Sequence, residues 1–153
     1  MQADAKLRAS WRAQWLAAIR EIADQGEQRA TWLNPNSGNP HYSFVECMSG
    51  YFDDLSLNGE EGYGGRLEEG LLTTDEVAAV AALHSILSSY SAPAADDYDH
   101  ESILSDPAWW VVTAEARNTI ERLRDLLGDP EELRTLSHSS VAALRARQTQ
   151  GMA

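Results

Sequence analysis

Residues 34–55 read NPNSGNPHYSFVECMSGYFDDL, and their pattern decides the fold class. Asn39-Pro40 has the form of a helix start, because Asn accepts from an orphan first-turn N–H and Pro has no N–H to leave unsatisfied. Ser43 with Glu46 forms a second candidate start, a capping box. Projected at about 100° per residue, Phe44, Val45, Cys47, Met48, Tyr51, Phe52 and Leu55 fall within an arc of about 160°, with Glu46, Ser49, Gly50, Asp53 and Asp54 opposite. A strand would put alternate residues on one face, so this is a helix with an apolar front and an acidic back. His41 and Cys47 fall on the apolar side. Without a second ligand at helical spacing, His41 reads as a core histidine, and Cys47 as a small hydrophobe.

The same periodicity recurs on both sides. Residues 3–25 predict a first helix with Leu7, Trp11, Trp15, Ala18 and Ile22 on one face, flanked by Arg8 and Arg12, and with Gly26 as the stop. Thr73 and Glu76 form another capping box, opening a helix to about Ser89. Its apolar residues, Val77 to Tyr90, cover about 220° and predict the most buried helix, with His84 inside the arc. Asp106-Pro107 opens a long helix with a stripe of Trp109, Val112, Ala116, Ile120, Leu123, Leu126 and Leu127; Trp110 and Val111 lie off that stripe. Asp129-Pro130 begins a last helix carrying Leu133, Leu136, Val141 and Leu144. The expectation is an all-α bundle of about five helices, a single domain over 1–147 with a frayed tail over 148–153. Residues 56–70, with five glycines, predict a long acidic loop; the alternative is a small hairpin within 58–72. Residues 91–105 predict a polar connection.

Composition narrows the function. The chain of 153 residues carries a net charge of −12. Residues 1–33 contribute +1, residues 34–106 contribute −13 and residues 107–153 contribute zero. Fourteen acidic groups face a single Arg66 in the middle segment, which opposes any general affinity for nucleic acid. One cysteine rules out an internal disulfide, and no Cys/His array suits structural zinc. No apolar run approaches the roughly 20 residues of a membrane span, and the N-terminus has no signal-peptide pattern, so a cytoplasmic location is expected. Eleven Arg against the single Lys6, with many Ala, lean towards a bacterial chain.

No motif specifies a reaction. Asp54, Ser56, Asn58 and Gly59 begin like a calcium loop, but Gly65 stands where a closing bidentate Glu is needed. Gly62, Gly64 and Gly65 lack the Lys-Ser/Thr of a phosphate loop. The leading expectation is an acidic protein-binding module that covers the basic surface of a partner, as a toxin-neutralising or immunity protein does. Its candidate residues are Glu60, Glu61, Glu68, Glu69, Asp96, Asp97, Asp99 and Glu101, as one outward patch, with Trp110 as apolar anchor. No metal or cofactor is expected on this reading. The alternatives are a metal-dependent hydrolase on His41, Glu46 and Asp53, with His84 or His100, and a structural subunit of a homo-oligomer.

Overall fold

In a computed structural model, described over residues 4–34 and 43–138, every regular element is helical. The order is α1 Ala5–Ala23, α2 Gln25–Trp32, α3 Phe44–Phe52, α4 Gly62–Glu68, α5 Thr74–Ser89, α6 His100–Leu104, α7 Pro107–Leu126 and α8 Pro130–His138. A 3-10 turn, Pro93–Ala95, follows α5. Among the described residues there are eight α-helices and no strand, three more helices than the periodicity predicts. The Asn39-Pro40 start, His41, Val141, Leu144 and the tail over 148–153 lie outside the described residues.

The helix starts follow local chemistry. Ser43 caps α3, its hydroxyl accepting from Glu46 N–H at 3.1 Å. Thr73 caps α5 in a complete box, with Glu76 returning to Thr73 N–H at 2.8 Å. Asp106 caps α7 ahead of Pro107. Such side-chain acceptors satisfy first-turn N–H groups that no carbonyl can reach.

The extra helices have equally specific causes. The first predicted helix ends at Asp24, which leaves helical geometry (φ −101°, ψ 84°), and Gly26, the expected stop, lies inside a further helix, α2, that Asp24 caps through Glu27 N–H. The glycine-rich segment is neither open loop nor hairpin over 62–68: it is α4, and Tyr63 is buried in the core. Trp15 Nε1–H donates to Tyr63 Oη at 2.9 Å, and Tyr51 Oη lies 2.7 Å from Tyr63 Oη. Tertiary anchoring of one tyrosine thus outweighs the poor helix propensity of three glycines. The predicted polar connection contains α6, capped by Asp99 and burying Ile103 and Leu104.

One continuous core draws side chains from all eight helices. α1 packs against α2, α3, α7 and α8, and α7 also packs against α5. From Trp15 to Ala23 every residue of α1 except Arg20 is buried. The most buried helix is therefore α1, a correction to the expectation for α5, whose buried residues are Glu76, Ala79, Val80, Leu83 and Leu87. Leu7, predicted on the core face, is 59% exposed.

Arg12 joins the layers. Its guanidinium forks onto Glu76 at 2.8 and 2.6 Å, reaches Glu132 at 2.6 Å and donates to Leu71 O at 3.1 Å. Side chains of Arg12 and Glu76 are both 4% exposed. Burial alone would push the Glu76 carboxyl up, but the hydrogen bonds from Arg12 and Thr73 outweigh it and hold it below its ordinary value. Cys47 is buried, and burial raises its thiol.

Candidate functional site

The eight predicted acidic positions fall in two stretches of the chain. Glu60, Glu61, Glu68 and Glu69 surround α4, immediately before α5, and Asp96, Asp97, Asp99 and Glu101 follow the end of α5. Along the chain α5 lies between the two groups, and α4 packs beside the second half of α5, with the Tyr63 and His84 ring centroids 4.9 Å apart. All eight residues are exposed. Glu69 is held by Arg66 at 2.6 Å, so the first group is partly neutralised within its own helix. Asp96, Asp97, Asp99 and Glu101 have no ion pair among the described residues.

The second group sits on a constructed floor. Trp32, Phe44, Tyr90 and Trp109 pack edge-on and tilted with ring centroids 5.1–6.2 Å apart. The His100 ring lies 5.7 Å from Trp32, and its Nε2 accepts from Phe44 N–H at 3.3 Å. That acceptor role leaves the proton of a neutral imidazole on Nδ1. Trp109 Nε1–H donates to Gln28 Oε1, and the Gln28 amide donates to the last carbonyls of α1, Glu21 O and Ile22 O. Tyr90 Oη donates to Asp106 at 2.9 Å, and burial, that bond and the charges of Asp106 and Asp97 raise the Tyr90 phenol. The floor is thus locked by packing and by satisfied polar groups.

Above it, Asp96 accepts from Tyr98 N–H at 3.0 Å. Asp99 accepts from the Ser102 hydroxyl at 2.7 Å and from Ser102 N–H at 3.2 Å. Those two bonds lower the Asp99 pKa and keep the group ionised. Tyr98 is 74% exposed in the middle of the acidic run. With Leu33, Trp32, Asp99, His100 and Glu101 it lines a shallow depression of about 450 Å³. Trp110 stands 45% exposed beside α6, its indole N–H donating to Leu104 O at 2.7 Å; Arg29 donates to the same carbonyl at 3.2 Å. Exposed Tyr98 and Leu33 thus share a depression with Asp99 and Glu101, and exposed Trp110 adjoins the end of α6.

Tyr98 and Leu33 were not singled out as site residues from the sequence. The signal for Tyr98 is its place in Asp96-Asp97-Tyr98-Asp99-His100-Glu101, an aromatic where neighbouring charge denies it a core. Leu33 carries no such signal.

The residues of the alternative hydrolase do not converge among the described positions. Asp53 accepts from Ser49 Oγ and Asn58 Nδ2, and His84 Nδ1 pairs with Tyr51 Oη at 3.0 Å near the C-terminal end of α3. His100 meets the opposite end of α3, at Phe44. Among the described residues, no three His, Cys, Asp or Glu are grouped to hold a metal, and no helix is long and apolar enough to cross a membrane. Compared with protein-family models, curated proteins and solved structures, the chain gives no match.

Proposed function

We propose that the protein is a binding module whose Asp96–Glu101 end covers a basic surface of a partner protein. The observation that carries the reading is the combination of four exposed carboxylates, free of described ion pairs, with exposed Tyr98 and Trp110 over a rigid aromatic floor. Aromatic anchors bury apolar area at low entropic cost, and surrounding carboxylates meet Arg or Lys of the partner and speed encounter. A toxin-neutralising or immunity protein that plugs a phosphate-gripping site is the specific form, since such a site must itself be positive. The Glu60–Glu69 group, around α4, plays a secondary, steering part.

The test is salt-stepped capture from a lysate of the source organism, repeated with D96K/D97K/D99K and with E60K/E61K/E68K as a charge-matched control. The first variant is expected to lose the high-salt-eluting protein and the control to retain it. Equal capture by both variants, or loss only in the control, would displace the site from this end of the molecule.

A further inference from the structure

A second surface has the opposite character. Between the end of α1, the start of α2, one face of α7 and the end of α8 lies a cleft of about 580 Å³, lined by Arg20, Arg117 and Arg124. Arg117 and Arg124 are seven apart on α7 and so share a face, about 10.5 Å along the axis. Arg20 Nε–H donates to Ser137 O at 3.0 Å, and Arg124 reaches Ser137 Oγ at 3.4 Å. Guanidinium groups from two helices thus converge on one residue. Two acids also line the cleft, Asp24 at 3.3 Å from Arg20 and Glu121 at 2.6 Å from Arg124. The local balance is one positive charge, on a chain whose net charge is −12.

Arg117 is the unbalanced member. It donates one long bond, 3.4 Å to Ala23 O near the end of α1, and has no carboxylate partner among the described residues. Capping that carbonyl uses one of its five N–H donors. Ala23, Ile120 and Leu136, all buried, supply apolar wall. An arginine with donors to spare, two more beside it and an apolar wall form a receptor for an oxyanion with a small carbon body. The guanidinium fork matches the paired oxygens of phosphate or carboxylate, and the volume lies within the roughly 300–1,000 Å³ of small-molecule sites. The acidic remainder of the surface repels anions, so recognition has to be local.

We propose that this cleft binds a small polyanionic metabolite, a phosphate ester or a polycarboxylate, with Arg117 as the principal contact and Arg20 and Arg124 on either side. The proposal is independent of the acidic docking end.

The experiment is an amide and arginine-side-chain NMR titration of the full chain with inorganic phosphate and, separately, citrate, each against sodium chloride at matched ionic strength. Saturable shifts at Gly26, Arg117 and Ser137 with either anion are expected. Affinity should fall at least tenfold in R117A and stay within twofold in R134A, since Arg134 pairs with Glu131 outside the cleft. Preference for phosphate assigns a phosphoryl ligand, and preference for citrate a polycarboxylate. Shifts no larger than with chloride, or equal affinity in R117A judged folded by its amide spectrum, would overturn the proposal.

Discussion

Arg12 and Glu76 form a charge pair that the core cannot lose by halves. Removing the guanidinium leaves a carboxylate that is 4% exposed with no cation to offset its desolvation. R12A is expected to lower stability by about 3–5 kcal/mol in urea unfolding, the range for breaking a buried pair. A loss below about 1 kcal/mol would place the pair among surface bridges instead. His84 carries a different sensitivity. Trp15 N–H can only donate, so the hydrogen-bond order that uses every donor runs from Trp15 to Tyr63, then Tyr51, then His84 Nδ1. That order requires His84 unprotonated at Nδ1, and burial lowers its pKa below 6.5. A histidine depressed on folding contributes stability that is complete above the unfolded pKa and is lost as pH falls below it. The melting temperature of the wild type should therefore fall towards that of H84N between about pH 7 and about pH 5. A constant difference across that window would remove His84 from the account.

Helices of this protein begin where a side chain closes the first turn. Thr73 and Glu76 exchange bonds at the start of α5, and the same Glu76 receives Arg12, so one carboxylate both caps a helix and closes the core pair. T73A is expected to lose about 1 kcal/mol in urea unfolding, with T73S restoring most of it. If T73S stays as low as T73A, the threonine methyl rather than its hydroxyl is what α5 requires. α4 depends on a different principle. Its glycines confer no helical preference, Gly62 sits at φ +38°, and the segment is held by Tyr63 reaching Trp15 and Tyr51.

At the scale of the whole molecule, a net charge of −12 repels itself. That repulsion reaches far at 0.01 M salt, where the Debye length is about 30 Å, and is screened at 0.15 M, where it is about 8 Å. The melting temperature of the free protein is expected to rise between these two ionic strengths. A fall would mean that the attractive pairs, Arg12 with Glu76 and Glu132 foremost, outweigh the repulsion.

The all-helical class, the starts of α3, α5 and α7 and most of the inward faces of α3 and α7 were determined by the sequence alone; Leu126, expected on the α7 stripe, is 42% exposed, and Gly50, expected on the back of α3, is buried. A cap hydroxyl meets an N–H three residues on, and an apolar stripe repeats every turn, so both are local in the chain. Tertiary structure alone decided the helix in the glycine run, the burial of α1 from Trp15 to Ala23 on every side but Arg20, and the meeting of Arg20 with Arg124. These features depend on partners far away in sequence: Tyr63 lies 48 residues from Trp15, and Glu132 lies 120 from Arg12. Periodicity carries no information over such separations; packing supplies it.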